Sequence, residues 1–159
     1  MPASPQAAAP RAASVDDLAR AADFLATSED YRVLRKLRPI ARFHVPRPGS
    51  EGRIGVALDV ETTGLDHEAD RIIELAVQRF RYDDAGRIVQ VGQPRVWRED
   101  PERALDPRIT KLTGLTNATL EGQAIDEAAA IDILASADLI VAHNAAFDRP
   151  FVDRRLPAI

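Results

Sequence analysis

The stretch "LDVETTGLD", Leu58–Asp66, decides how this chain is read. Carboxylates, hydroxyls and a glycine follow the mostly apolar, β-rich run Ile54–Val60. One reading is a calcium loop, because the window Asp59–Asp70 comes near the EF-hand spacing. Context opposes it. An EF-hand needs a helix before Asp59, an apolar residue where Asp66 stands, and preferably the longer Glu where Asp70 stands. The second reading is the end of a buried strand. Side chains two apart on a strand share a face, so Asp59 and Glu61 project together. Two neighbouring carboxylates repel and lose hydration. A divalent cation compensates, and oxygen-only ligands suit Mg²⁺ or Mn²⁺. The plain alternative is a pair of solvated carboxylates beside a turn. Gly64 is expected to let the backbone turn sharply, so that amides of the turn approach a ligand.

Outward from this stretch the periodicities define an α/β domain. Arg71–Tyr82 alternates as a second strand, "DDAG" (Asp83–Gly86) reads as a turn, and Arg87–Trp97 reads as one continuous third strand of a meander. Asp106–Leu112 predicts a short helix with Pro107 in its first turn. Ile125–Ser136 predicts a helix, Leu139–Ala142 a short buried strand, and Asn144–Arg155 a final helix. Strands first, then helices alternating with a strand, predict a mixed sheet.

A second constellation lies in "LIVAHNAAFDRPFV", Leu139–Val152. Here Asp148 falls near the start of a helix that follows a buried strand. It could be a carboxylate favoured only by the helix dipole, and Asn144 only a cap. Joined to Asp59 and Glu61 it completes an oxygen-rich site at the carboxyl ends of two strands, where open α/β sheets bind ligands.

At these residues the sequence resembles a family. "DVETTG" (Asp59–Gly64) and "HNAAFD" (His143–Asp148) resemble the first and second motifs of the DEDDh 3′–5′ exonucleases. "IIELAVQRF" (Ile72–Phe80) and "DPRITKLTGLTNATLEG" (Asp106–Gly122) resemble the family's second strand and the segment after it. The resemblance is to the DnaQ-like branch, the proofreading epsilon subunits of bacterial DNA polymerase III and their stand-alone relatives. It covers about Gly55–Arg155. It implies a ribonuclease-H-like fold and two-metal phosphodiester hydrolysis with two Mg²⁺ or Mn²⁺ ions. Asp59, Glu61 and Asp148 would be the metal-binding and catalytic carboxylates. Thr62, Thr63, Gly64 and Leu65 would receive the terminal nucleotide, with Asn144, Phe147 and Thr113 shaping the pocket. Turn hydroxyls and core packing are the plain alternatives for these contacts.

The resemblance also implies a third motif, H-x-x-x-x-D, whose histidine activates water. His143 and Asp148 have that spacing but already form the second motif, and His44 and His67 have no catalytic companions. The expectation is therefore an exonuclease domain truncated before its last strand and helix, weak in metal binding and slow in turnover. A degenerate homologue that only binds nucleic acid or a polymerase is the competing reading. The expected substrate is a single-stranded 3′ end, DNA ahead of RNA, with a DNA polymerase as a possible partner.

Composition sets the remaining bounds. The chain has 159 residues and 45% apolar residues, enough for one core. It has no cysteine, which excludes disulfides and thiolate metal sites and fits the cytoplasm. No apolar run reaches the length of a membrane span. Residues 1–13 read as a disordered Ala- and Pro-rich tail, 14–45 as a helical extension, 46–52 as a linker and 53–159 as the exonuclease domain. Within the extension, Ser14 with Asp17 predicts a cap for a helix through about Thr27. Ser28 predicts the cap of a second helix, carrying Tyr31, Leu34 and Leu37 and stopped by Pro39. From Tyr31 to Arg47 six basic residues (Arg32, Arg35, Lys36, Arg38, Arg42, Arg47) meet no acidic one, although the net charge is −4. That stretch is either a solvated face or a phosphate-contacting patch.

Overall fold

The extended run β1 (Arg53–Thr62) is the spine of a mixed five-stranded sheet in the computed structural model, which describes residues 13–36, 43–45 and 52–157. On one side β1 pairs antiparallel with β2 (Ile72–Tyr82), and Asp59 lies opposite Ala76 and Glu61 opposite Glu74. β2 then pairs antiparallel with β3 (Ile88–Val91) and β4 (Arg95–Arg98) along its other edge. The turn into β3 is built by Asp83, whose carboxylate accepts from the Ala85 and Arg87 amides and the Arg87 guanidinium, with Gly86 left-handed at φ 74°.

β3 and β4 occupy the place of the single third strand expected from Arg87–Trp97. The interruption has a cause. Gly92 still donates to the Arg79 carbonyl, and Arg95 already pairs with Val77, so Gln93 and Pro94 together oppose Gln78. Pro94 has no N–H for a ladder, and the extra residue is a β-bulge.

Helices α2 (Pro107–Thr113), α3 (Asn117–Leu120) and α4 (Glu127–Ala135) follow, then β5 (Leu139–Val141) and α5 (Ala145–Arg155). α3 was not foreseen; it is a single turn capped reciprocally by Thr116 and Thr119. β5 pairs parallel with β1 from Gly55–Leu139 to Ala57–Val141. One sheet face carries Val56, Leu58, Val60, Leu75 and Val77 into a core with Ile125, Ile133 and Leu134 around α4 and Phe151, Val152 and Leu156 around α5. A bulge where Thr62 meets β2 switches the alternation. Ile72 therefore joins this core, while Ile73 packs in a second cluster with Leu115 and Leu120. On the opposite face Gly55 lets the Phe80 ring lie flat on β1; a Cβ there would sit 2.1 Å from the ring.

The chain divides into two units, Met1–Ile40 and Ala41–Ile159. In the first, α1 (Val15–Leu25) begins at the expected capping box between Ser14 and Asp17. The second helix of the extension does not form over the described residues: Tyr31–Lys36 have no regular structure. Tyr31 and Leu34 are 59% and 79% exposed, so the described part of the apolar face that was to hold such a helix stays in solvent. The tail (1–12), Leu37, Pro39, Arg38, Arg42 and the linker through Glu51, including Arg47, lie outside the described residues.

Candidate active site

Alternation on β1 sends Leu58, Val60 and Thr62 inward and leaves Asp59 exposed and Glu61 half-buried on the other face, as the spacing requires. The strand also removes the calcium-loop reading, which needs a helix before Asp59. Across the ladder, Glu74 stands opposite Glu61 and Arg98 opposite Glu74. Arg98 Nε donates to Glu74 Oε2 at 2.8 Å. Burial, then the charges of Asp59 and Glu74, push the Glu61 carboxyl above its ordinary value.

The third carboxylate arrives from the β5–α5 junction. β5 ends level with Ala57, leaving the edge of β1 beyond it without a strand partner. Asp148, 4% exposed in the first turn of α5, fills that place: the Val60 amide donates to its Oδ1 at 3.2 Å. The other end of the pairing is closed in the same way, with Ile54 N–H donating to Asp138 Oδ2 at 2.8 Å. Burial raises the proton affinity of Asp148 most, and the charge of Asp59 adds to it. The amide bonds from Val60 and from its own backbone, and the nearby His143, act against that rise.

Asp59 is thus the charge that both other carboxylates feel, and all donors present are oxygens. That donor set and the repulsion among its members fit a divalent cation. Closure is less complete than the spacing implies. Among the described residues, no three His, Cys, Asp or Glu side chains group so that they could hold a metal ion.

The turn after β1 is braced by its own side chains. Thr62 is buried and its hydroxyl donates to the Gly64 carbonyl at 2.5 Å. Thr63 Oγ donates to Asp70 Oδ1 at 2.9 Å and accepts from the Arg71 amide and from Arg103. These hydroxyls therefore hold the turn together. Gly64 is not in the left-handed region. It is required because a Cβ there would lie 2.2 Å from the Asp70 carboxylate. Leu65, 85% exposed, stands at the tip. Thr113 ends α2, donating to the Ile109 carbonyl and accepting from the Leu115 amide. Asn144 is exposed at the α5 N-cap without a side-chain cap bond. Phe147 packs at the margin of the main core, 5.1 Å from the Phe151 ring. Sequence reasoning assigned no part to Glu74, Asp70 or Arg103. The parity of β2 was the available signal for Glu74; Asp70 acts within its own turn, and Arg103 reaches it from a segment distant in sequence.

The family model described as RNase_T, exonuclease, matches residues 56–158. The chain belongs to this exonuclease family. The exonuclease domain is 35% identical over 99 residues to the PolC-type DNA polymerase III of Thermotoga petrophila, covering 61% of this chain and 7% of that protein. It is 31% identical over 119 residues to ribonuclease T of Shewanella putrefaciens, covering 66% of this chain and 53% of that enzyme. The chain therefore spans a small part of the polymerase and about half of the ribonuclease. Among solved structures it resembles E. coli exonuclease I in complex with a 5cy-dA13 oligonucleotide, at TM-score 0.52 and 22% identity over 65% of this chain and 24% of that one. That likeness establishes the shared ribonuclease-H-like exonuclease fold, with its antiparallel strands and one parallel pair.

Proposed function

We propose that this exonuclease domain removes nucleotides from single-stranded 3′ ends, DNA in preference to RNA, with Mg²⁺ or Mn²⁺ as cofactor. The observation that carries the reading is the placement of Asp59 and Glu61 on one face of the central strand, with Asp148 docked on the same strand one residue from each. Asp59, whose charge acts on both other carboxyls, would be shared by two ions, with Glu61 and Asp148 each completing one set. The ions would supply an activated water and charge neutralisation at the leaving 3′ oxygen. The chain's own residues provide the rest. Val60 N–H fixes one Asp148 oxygen against the strand. The turn Thr62–Leu65 would receive the terminal nucleotide, Leu65 meeting its base, and Asn144, Phe147 and Thr113 would border it. The polymerase and ribonuclease relatives support a role in cytoplasmic nucleic-acid processing, with a polymerase as a possible assembly partner. Among the described residues no helix is long and apolar enough to cross a membrane.

One observation favours a second reading. Because the described residues form no three-ligand group, the domain could bind nucleic acid without cleaving it. An end-labelled single-stranded oligonucleotide incubated with the chain and Mn²⁺ separates the two. Slow release of 3′-terminal nucleotides, lost in Asp59→Asn, supports the nuclease. Tight binding with no release at any Mn²⁺ concentration supports the binding module.

A further inference from the structure

The loop from Thr62 to Arg71 is organised around one side chain. Asp70 Oδ1 accepts from Thr63 Oγ at 2.9 Å and from Arg103 Nη2 at 2.6 Å, and its Oδ2 accepts from the Asp66 amide at 3.0 Å. Arg103 also donates to Thr63 Oγ. The Thr63 amide donates to the Arg71 carbonyl, so the two ends of the loop are tied. Arg154, from the end of the helix that carries Asp148, donates to the carbonyls of Glu68 and Asp70. Burial alone would raise the proton affinity of Asp70, but these hydrogen bonds and the Arg103 charge hold its carboxyl below the ordinary value. The Asp70 side chain is 18% exposed. The contact with Gly64 makes the arrangement one piece: the glycine is bare because this carboxylate lies against it.

We infer that Asp70, braced by Arg103, is a positioning residue that fixes Thr63, Gly64 and Leu65 in the conformation that receives a 3′-terminal nucleotide. This rests on the reading of that loop given above. A surface loop held only by its own backbone would sample many conformations, and ordering it on binding would weaken affinity. Here the end of β1 and the segment before α2 meet on one carboxylate, and the end of α5 holds the backbone carbonyls of Glu68 and Asp70 beside it. Because Arg154 joins them, the loop and Asp148 are held in a common frame.

The experiment uses the full chain with Asp70→Ala, Arg103→Met, Gly64→Ala and the Gly64→Ala/Asp70→Ala double variant. Hydrogen exchange at the amides of Thr63, Asp66 and Arg71 reports loop order, and anisotropy of a labelled single-stranded oligonucleotide reports affinity. Asp70→Ala and Arg103→Met are expected to lose protection at those amides while β1 keeps its own. Each should weaken oligonucleotide binding by about tenfold, the value of one lost charge-assisted hydrogen bond, and leave Mn²⁺ binding unchanged. The double variant should be no worse than either single one, since both act on one contact. Arg103→Met guards against an Asp70→Ala chain that fails to fold. Unchanged loop protection in either folded variant, additive losses in the double, or equal loss of Mn²⁺ binding overturns the inference. A wild-type chain that binds no oligonucleotide removes the functional reading, and this inference with it; variants that bind as tightly as a binding wild type remove the inference alone.

Discussion

Asp148 is held nearly without solvent beside the charge of Asp59, and the Val60 amide, its own amide and His143 together do not offset that burden. Its raised proton affinity has a definite sign in stability. Below the ordinary carboxylate value the group is protonated both folded and unfolded and costs nothing. As pH rises through the raised value the folded state must ionise it unfavourably, and stability falls. Asp148→Asn keeps an oxygen for the Val60 amide and removes the charge. The expected result is a gain of roughly 0.5–2 kcal/mol at neutral pH, within the range seen when a functional group is relieved of its cost. The gain should vanish below the ordinary carboxylate range. Denaturant melts at several pH values check this; a variant less stable than wild type at neutral pH contradicts it. Glu61 shares the direction of shift, with burial first and Asp59 and Glu74 next. Protons therefore compete with cations at both sites, and Mn²⁺ affinity should fall as pH drops through the raised values. Titration of Mn²⁺ at successive pH values tests it, and a flat profile counts against the site. The pairing of Asp59 and Glu61 was legible in sequence because a period of two needs no tertiary information. Glu74 was equally placed by parity, but its opposition to Glu61 depends on strand register, which the sequence does not print.

At the scale of elements, the helix that brings Asp148 is anchored at its far end by a neighbouring cluster. Arg155 donates through Nε and Nη2 to Glu99 and through Nη1 to Glu127, tying α5 to the segment after β4 and to α4. Arg155 and Glu99 are mostly buried, at 25% and 18% side-chain exposure, whereas Glu127 is 56% exposed. Arg155→Ala leaves Glu99 without its cation and is expected to destabilise by about 2–3 kcal/mol. Glu127→Gln should cost less than about 1 kcal/mol, as exposed pairs do. Equal effects in thermal melts would show that the exposed partner matters as much as the buried one. The same scale explains which elements could be read in advance. β1 and β2 are β-rich runs that lie against the core, and α5 sends Phe151 and Val152 into it. The third strand was read through Pro94 because its flanks alternate well, yet the missing N–H obliges a bulge. The second helix of the extension had a cap and a breaker, but among the described residues its apolar side chains Tyr31 and Leu34 are exposed, and local signals alone do not sustain a helix.

For the whole molecule, charge poses the remaining question. The chain carries a net charge of −4, yet a polyanion is the proposed ligand. Long-range attraction must come from a local concentration of cations. The stretch Tyr31–Arg47 carries six basic residues and no acidic one. Within it Arg35 is already engaged, its Nη2 lying 2.5 Å from Asp23 Oδ1. If this stretch contacts phosphates, the logarithm of affinity for single-stranded DNA falls with the logarithm of salt concentration by about 0.7 for each phosphate neutralised. Replacing Arg32, Lys36 and Arg42 together by Gln should then reduce the slope by about 2, three contacts' worth. Arg35→Gln should change it least, because Asp23 competes for that guanidinium. The contrast matters more than either value. A general loss of positive charge would shift all four substitutions alike, whereas phosphate contact sets Arg35, held by Asp23, apart. Anisotropy titrations from low to physiological salt provide the measurement. An unchanged slope in the triple variant would return the stretch to a solvated surface and leave the nuclease unit to hold its strand alone.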